Sequence, residues 1–525
     1  MLRTQDGWPS AAKLSRSALL VLCTLGLVAC SSSSGSDTAP TAAPSPGACP
    51  SVGATTCDGL RVRRCEGAGA SPAWSDARAC DDESQICKDG GCRDLTSSEA
   101  SAVAGLDAVL GEAATVSAAS AKVDFDSLKK DLRTALLMGD GSPRAYVRTL
   151  WDAMLAVPQG HQMLTLTEAA PPRTWDEVGL TQGPLSRYGA CLRPYQDHAV
   201  VTLSDGATTP LRRGDEILAI DGARGDAFAR AILDRPFGLD LVPPTSTGRV
   251  AFGVRSFFSV DRKGVVLRVR HAGESSEVDV TLPAPLPADS GFGCDDAFGR
   301  DYTKPAVAKI LADGTGVLYV PSFSQTKLEA FEAGVGPVWD KVKDTPRLVI
   351  DLRGNGGGLL SSALDLVSQI PGAKKTPYCQ FFERSGGTAT SPSFTAGRVY
   401  SVDRDQVPAP PRFAYSGKVA ILIDGATHSA AEHLAYAAKL ATRAIVVGTK
   451  TAGAYGTTTK NTPKEIPGPV PVTVLFNSSE VRTPEGEVLE RTSVEPTIEV
   501  GYEPEAIAAG KDPMLERAVA ELGKL

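Results

Sequence analysis

The most constraining feature of this sequence is an apolar run that leads into a glycine turn. Residues 347–350 read "RLVI" and are followed by Asp351, Arg353 and three consecutive glycines at 356–358. Glycine costs conformational entropy, so it is favoured where the backbone approaches another group closely or adopts a positive φ. A strand, such a turn and then a helix expose N–H groups to an anion. We interpret Asp351 and Arg353 as an ion pair or backbone clamp that holds this turn.

The alternation of strand and helix continues across residues 300–510. Short apolar runs such as "GVLYV", "RLVI", "VAILI" and "AIVVG" alternate with helical stretches such as "LLSSALDLVSQI" and "AAEHLAYAAKLA". Short buried strands separated by helices are typical of an α/β core with a largely parallel sheet. In such sheets the functional groups gather at the carboxyl ends of the strands. The sequence therefore predicts an α/β core with a functional site at one edge of its sheet.

A serine stands at one of these predicted strand ends. Ser429 lies between the strand at 419–423 and an alanine-rich helix. A hydroxyl at a helix N-terminus lies beside unpaired N–H groups and the positive end of the helix dipole, which suits a nucleophile. The same position suits an N-cap, and Glu432 three residues later would complete a capping box. The local sequence alone allows both interpretations.

The first 30 residues are predicted to be a lipoprotein signal peptide. Lys13 and Arg16 precede the apolar run "ALLVLCTLGLVA", which is too short to span a bilayer. The run ends in "LVAC", which resembles a bacterial lipobox, and cleavage there would leave Cys30 carrying lipid. Ser31 favours an outer-membrane destination, and residues 31–48 form a predicted Ser/Pro-rich tether. We expect a protein anchored to the bacterial cell envelope; an ordinary secretory cleavage site is the alternative.

Residues 49–94 are predicted to form a small cysteine-rich disulfide module. An even and dense set of cysteines in an exported protein is typical of disulfides. Zinc is the alternative, but no histidine lies within the module and no paired CxxC occurs. The connectivity stays open among the six cysteines Cys49, Cys57, Cys65, Cys80, Cys87 and Cys92. Two of the isolated cysteines are candidates for a further pair: Cys191, Cys294 and Cys379.

Two more segments separate this module from the core, and a third follows the core. Residues 97–178 have a helical pattern, with Ser142 as the N-cap of one helix and Pro143 in its first turn. Residues 180–285 change to strands and turns. Within them "LRRGDEILAIDGARGDAF" resembles PDZ domains, which bind the C-terminus of a polypeptide as an added strand. Residues 511–525 are predicted to form a C-terminal helix.

Four motifs in this order resemble the C-terminal processing (tail-specific) peptidase family. They are "VIDLRGNGGGLL", "DGATHSAAE", "AIVVGTKTAG" and "SVEPTIEV", and the resemblance covers about residues 100–505. It implies a ClpP/crotonase-like layered α/β core with a PDZ-like β domain, and it implies Ser429 as the nucleophile. It also implies an oxyanion hole made by the N–H groups of Gly356 or Gly357 together with Ala430.

One departure from this family concerns the base. The family has a Ser–Lys dyad whose lysine lies 25 residues after the serine, but that position here is Ala454. The sequence is closer to the tricorn core protease-like branch, which lacks this lysine and takes a histidine from the helical region. That resemblance implies His161 as the general base and Glu490 as a residue acting through the hydrogen-bond network of the site.

Other bases stay open at this stage. His428 is adjacent to Ser429, and His433 shares its helix face at the i+4 position. Lys450 is a displaced base if burial lowers its pKa. The remaining histidines, His198 and His271, are interpreted as structural.

The sequence therefore predicts an exported, lipid-anchored serine endopeptidase that acts on proteins or peptides without a metal or cofactor. The alternative is a catalytically degenerate protease fold that binds peptides or cell-surface material, which the missing lysine favours. A crotonase-type acyl-CoA enzyme has similar oxyanion chemistry but is disfavoured by export. The net charge of -7, without a basic run, argues against a nucleic-acid partner.

Overall fold

The computed structural model of this protein describes residues 49, 51–66, 73–75, 80, 84–167, 188–196, 198–225, 228, 243–256, 264–283, 286, 306–325, 327–402, 413–457 and 462–525. The predicted signal peptide, Cys30, the tether and Cys294 lie outside the described residues. None of the helices within those ranges is long and apolar enough to cross a membrane.

The cysteine-rich segment contains five short strands: β1 Thr55–Asp58, β2 Arg61–Glu66, β3 Ala73–Trp74, β4 Gln85–Lys88 and β5 Gly91–Asp94. The disulfide prediction is confirmed, with the pairs Cys49–Cys65, Cys57–Cys87 and Cys80–Cys92. The protein divides into two compact units. The first comprises residues up to Ala54 and Arg64–Asp76, and it holds the first of these disulfides. The second comprises Thr55–Arg63 and Ala77–Leu525, and it holds the other two.

Three helices follow the cysteine-rich segment: α1 Ser97–Val116, α2 Phe125–Met138 and α3 Pro143–Ala156. The predicted start of α3 is confirmed, because Ser142 accepts a hydrogen bond from Ala145 N and Pro143 opens the first turn. The helices pack around a core that includes Leu106 and Trp151. Strand β6 Met163–Leu166 comes shortly after α3.

The PDZ-like part consists of one sheet and one described helix. Its elements are β7 Ala190–Tyr195, β8 His198–Ser204, β9 Glu216–Ile220, α4 Ser246–Ser256, β10 Val266–Arg270 and β11 Glu277–Thr281. The strands form a five-stranded sheet in the order β11-β10-β9-β8-β7, with antiparallel pairings throughout. Cys191 of β7 is disulfide-bonded. Cys379 is a free, buried thiol, so these two cysteines do not pair.

The remaining elements form the α/β core and its attachments: β12 Val307–Ile310, β13 Gly316–Tyr319, α5 Leu328–Trp339, β14 Arg347–Asp351, α6 Leu360–Ser368, β15 Thr376–Gly387, β16 Pro392–Val402, β17 Lys418–Ile423, α7 Ala430–Ala441, β18 Ile445–Gly448, β19 Lys464–Ile466, β20 Val472–Leu475, β21 Ser479–Arg482, β22 Ile498–Glu499, α8 Pro504–Ala508 and α9 Pro513–Lys524. The central sheet has the order β12-β13-β14-β17-β18-β22. Only the β12–β13 pairing is antiparallel, so the predicted, largely parallel sheet is confirmed.

Helices cover both faces of the central sheet. Successive side chains of a strand point to opposite faces of the sheet. Ile350 and Ile421 lie on one face and pack with α5, α6 and α7. Val349 and Leu422 face the other way and pack with α9. Both faces of the strands are therefore buried, which explains why these strands read as continuous apolar runs.

Two smaller sheets flank the core and define the surroundings of the site. Strands β16, β15 and β21 form a long hairpin with one added strand, and β19, β20 and β6 form the other sheet. The second of these links the helical region to the core, because β6 is the strand that follows α3. The carboxyl ends of β14 and β17 lie side by side, because these two strands pair in parallel.

Candidate active site

Ser429 lies just before α7, shortly after β17 ends. Its backbone has φ 56° and ψ -126°, a conformation that non-glycine residues rarely adopt and that is concentrated at functional sites. The Ser429 N–H donates to the Ala454 carbonyl at 3.1 Å and also lies 3.2 Å from Glu432 Oε2. The side chain of Ser429 lines a cleft. The predicted capping box with Glu432 is therefore present, and the serine hydroxyl also faces a second partner.

That partner is His161, which the fold brings to Ser429 across 268 residues. His161 Nε2 lies 2.8 Å from Ser429 Oγ. The histidine occupies a turn between α3 and β6 with φ 59°. Burial lowers the pKa of His161 well below its ordinary value, and the neighbouring His428 and His433 lower it further. A neutral imidazole with Nε2 facing the hydroxyl has the geometry of a general base.

Glu490 holds the backbone around this histidine rather than the imidazole itself. Its Oε1 accepts the N–H of Gly160 at 2.7 Å. Its Oε2 accepts the N–H groups of Tyr455 and Gly456, each at 2.8 Å. Burial raises the pKa of Glu490 above its ordinary value, and the three N–H donors oppose that shift. Within the described part of the protein, the buried Nδ1 of His161 has no hydrogen-bond partner.

The glycine turn presents different N–H groups from those implied by the sequence. The N–H of Gly357 donates to Asn355 Oδ1 at 2.8 Å, so it is not a free donor and this part of the prediction is wrong. Gly356 does not line the cleft, whereas Gly358 and Ala430 do. Gly357 packs so closely against the nucleophile turn that a Cβ would lie 2.5 Å from Ser429 Cβ. The candidate oxyanion donors are therefore Gly358 and Ala430.

The side-chain oxygen of Asn355 explains which glycine N–H of the turn is left to face the cleft. Asn355 is fully buried; its amide nitrogen donates to the Val320 carbonyl at 2.9 Å, and its oxygen caps Gly357. Asparagine often bonds the backbone two residues on. That local signal was present in "RGNGGG" and could have excluded Gly357 at once. Gly358 has φ 130°, a conformation reserved for glycine, and it packs directly on the Phe323 backbone.

Glu432 has a larger role than its predicted capping. Its carboxylate accepts the hydroxyl of Thr451 and the N–H groups of Gly453 and Ala454 at 2.6 and 2.8 Å. Burial raises the pKa of Glu432 to about 7, and these donors oppose the rise. Because Ala454 also accepts from Ser429 N, Glu432 ties the loop after β18 to the nucleophile. Sequence patterns could not reveal this contact, since the loop lies about twenty residues away.

Two of the other bases considered for Ser429, Lys450 and His433, are engaged elsewhere. Lys450 forms an ion pair with Glu495 at 2.6 Å, its side chain is 47% exposed, and this pairing raises its pKa. His433 bonds the Tyr455 carbonyl at 3.0 Å through Nε2, and its Nδ1 faces the Tyr378 hydroxyl at 3.2 Å. Two histidines pair with carboxylates of the PDZ-like part: His198 with Glu216 and His271 with Asp215.

A buried ion triad holds the start of the glycine turn. Arg353 is 1% exposed and bonds Asp351 Oδ2 and Asp512 Oδ2, each at 2.7 Å. Asp512 also accepts from Leu515 N and so caps α9. The interpretation of Asp351 and Arg353 as a clamp is confirmed, and the C-terminal helix supplies the third member.

The cleft beside Ser429 has a volume of about 310 Å³. Rings from β15, β16, α7 and the loop after β18 line it: Phe381, Tyr400, His433 and Tyr455. Its charged lining residues are Glu383 and Arg398, and the Arg398 guanidinium lies 5.1 Å from the centre of the Tyr400 ring. The long β15–β16 hairpin therefore forms one wall of the site.

Known proteins resemble this protein in sequence and in fold. Residues 314–500 match peptidase family S41. The sequence is similar to the carboxy-terminal processing protease CtpB of Bacillus subtilis (strain 168), with 28% identity over 211 residues. That match covers 39% of this protein and 38% of the relative, so it spans little more than a third of the relative's length.

Solved structures resemble the protein over a longer range. Mature CPAF has a TM-score of 0.58 at 16% identity, covering 81% of this protein and 98% of CPAF. Mature CPAF complexed with lactacystin has a TM-score of 0.53 at 15% identity, covering 82% of this protein and 98% of CPAF. At these identities the likeness concerns the fold. The predicted α/β class and the resemblance to the C-terminal processing peptidases are confirmed.

Proposed function

We propose that this protein, whose residues 314–500 match peptidase family S41, is a serine endopeptidase that cleaves proteins or peptides through Ser429. The observation that carries the proposal is the 2.8 Å contact between His161 Nε2 and Ser429 Oγ. A serine hydroxyl is a weak nucleophile unless a base removes its proton. A buried, neutral imidazole at hydrogen-bond distance supplies that base.

In the acylation step, Ser429 Oγ attacks the scissile carbonyl carbon while His161 Nε2 takes the hydroxyl proton. The carbonyl oxygen gains the negative charge, and the N–H groups of Gly358 and Ala430 stabilise it. The tetrahedral intermediate then collapses, the C–N bond breaks, and His161 returns the proton to the leaving amine. Water attacks the resulting ester with His161 again as the base, which releases the acid and restores the serine.

The cleft lining supports a preference for apolar side chains beside the scissile bond. The rings of Phe381, Tyr400 and Tyr455 offer an apolar surface, and the cavity of about 310 Å³ accommodates a large side chain. The PDZ-like part supports capture of an extended peptide segment, because β7 is an edge strand of its sheet.

The test compares wild type, Ser429→Ala and His161→Ala on an unstructured protein substrate. We expect both variants to lose at least about 10³-fold in kcat/KM, because nucleophile and base act as a unit. A fluorophosphonate probe should label wild type and not Ser429→Ala. Equal cleavage by wild type and Ser429→Ala would refute the proposal. Absence of both cleavage and labelling in wild type would support the binding-protein alternative.

We also propose that the protein is lipid-anchored at Cys30 in a bacterial cell envelope, in the outer membrane. This rests on the "LVAC" sequence and the tether that follows it. A Cys30→Ala variant should move from the membrane fraction to the soluble fraction of a lysed cell. If the variant stays in the membrane fraction, the anchor assignment is wrong.

A further inference from the structure

The general base of the proposed site lacks the partner that usually orients such a histidine. In a Ser–His–Asp triad a carboxylate accepts the Nδ1–H bond and fixes both tautomer and ring orientation. Here Nδ1 of His161 has no such acceptor among the described residues. Glu490, the carboxylate implied for this site, accepts three backbone N–H groups. No direct hydrogen bond between His161 Nδ1 and a carboxylate is therefore found among the described residues.

A second imidazole lies directly against it. The ring centres of His161 and His428 are 4.6 Å apart, with their planes tilted by 51°. His428 is fully buried, and its backbone is fixed because its N–H donates to the Asn355 carbonyl and its carbonyl accepts from Ala431 N. The ring of His428 is thus held at a set distance from the base by the same turn that carries Ser429.

A second ring that contacts His428 comes from the PDZ-like part. Phe252 of α4 lies 5.5 Å from the His428 ring at a tilt of 60°. Helix α4 is itself held against the site, since Thr245, immediately before it, donates through its hydroxyl to the Ala452 carbonyl at 2.7 Å. Gly248 packs so closely on Ala452 that a Cβ would lie 2.8 Å from that carbonyl oxygen. The His428 ring therefore contacts both Phe252 and His161, and His161 contacts the nucleophile.

The ring nitrogens of His428 bond no side chain. Neither Nδ1 nor Nε2 has a partner at full hydrogen-bond geometry among the described residues, and the Gly356 backbone interacts with the ring and opposes the fall of its pKa. Burial lowers the pKa of His428 to about 4, so the ring is neutral at neutral pH and places no positive charge beside the base. What the imidazole contributes is a flat, uncharged surface at van der Waals distance.

Resting on the proposed function, we infer that His428 is the positioning residue of the site: it holds the His161 ring in line with Ser429 by ring contact, in place of an orienting carboxylate. The torsion that swings an imidazole about its Cβ–Cγ bond has broad minima. A ring packed on one side therefore restricts the orientations open to Nε2. Phe252 packs against His428, so the PDZ-like part contributes to catalytic geometry.

The test uses the full-length protein with two substitutions of His428. His428→Ala removes the ring, and His428→Phe keeps a ring of similar width without nitrogens. We expect His428→Ala to lower kcat by about 100-fold with KM unchanged, because the effect of displacing a base falls on the chemical step. We expect His428→Phe to retain most of the wild-type kcat. Phe252→Ala should lower kcat less than His428→Ala and in the same direction.

Two controls separate loss of positioning from loss of folding. The final extent of fluorophosphonate labelling at Ser429 counts folded sites and should match wild type, whereas the rate of labelling reports the reactivity of the nucleophile and should fall in parallel with kcat. Lys450→Met, a surface change, should match wild type. Full kcat in His428→Ala would overturn the inference, as would equal losses in His428→Phe and His428→Ala at wild-type thermal stability. An inactive wild type would instead refute the proposed function.

Discussion

Glu490 offers the sharpest test of how the site is built, through the change Glu490→Gln. The carboxylate accepts three buried N–H groups, one on Oε1 from Gly160 and two on Oε2 from Tyr455 and Gly456. Glutamine has one acceptor oxygen and one donor nitrogen. Its oxygen can replace Oε2, but its NH₂ group then faces the N–H of Gly160. The substitution therefore removes the hydrogen bond from Gly160. It also sets two donors, the glutamine NH₂ and the Gly160 N–H, against each other directly before His161.

The magnitude follows from these contacts. A hydrogen bond to a charged group contributes about 1.5–3 kcal/mol, and a buried donor left without an acceptor costs about 1–3 kcal/mol. Because the two terms overlap, we expect Glu490→Gln to lower the free energy of unfolding by about 2–4 kcal/mol. In the variant, Gly160 is no longer held by this hydrogen bond and is free to move. A displacement of about 1 Å at the base can cost about 100-fold in rate. We therefore expect kcat to fall by about that factor.

The assay measures kcat, KM and urea denaturation for wild type, Glu490→Gln and the matched control Glu495→Gln. Glu495 is exposed and its carboxylate forms a surface ion pair with Lys450, so its substitution should change stability by less than about 1 kcal/mol and leave kcat unaltered. If Glu490→Gln behaves like Glu495→Gln in both measurements, the proposed anchoring of the His161 turn is refuted.

Three further predictions follow from the same contacts. Replacing Arg353 by Met leaves two mostly buried carboxylates, those of Asp351 and Asp512, without their cation. The free energy of unfolding, measured by urea denaturation, should therefore fall by about 3–5 kcal/mol. A change under about 1 kcal/mol would contradict the interpretation of this triad as a clamp. The pKa of His161 lies well below 6.5, so the base stays unprotonated as the pH falls to 6.5. The fall of kcat/KM caused by protonation of His161 should therefore appear only below that pH. A fall that begins above about pH 7 would argue against His161 as the base. Lys450→Met should leave kcat and KM unchanged on the same substrate, since Lys450 is exposed and paired; a large loss would reinstate it as a base.

Two buried glutamates organise the site without touching the reacting atoms. Glu432 binds the loop after β18 to the nucleophile turn, and Glu490 binds the His161 turn to the next stretch of the same loop. Each uses several backbone N–H groups that would otherwise be buried without acceptors, which is costly. The loop containing Ala454, where the family carries its lysine, thus serves here as the backbone bridge between nucleophile and base.

Much of the architecture could be predicted from the sequence, because it depends on interactions between near neighbours. Apolar strand runs alternating with helices predict a parallel α/β core, a dense cysteine set predicts disulfides, and Ser142 with Pro143 predicts a helix start. The place of Ser429 at a strand end follows from the same local pattern. Each of these inferences requires only residues a few positions apart in the sequence.

The tertiary structure decided the features that depend on distances between remote segments. It places His161 beside Ser429 across 268 residues. It directs Glu490 to backbone N–H groups rather than to the imidazole. Of the three consecutive glycines at 356–358, it leaves Gly358 to line the cleft. It also sets the ring of His428 against the base. Side-chain distances of this kind result from how whole layers pack, and a change of about 1 Å there alters chemistry while leaving every local sequence pattern the same.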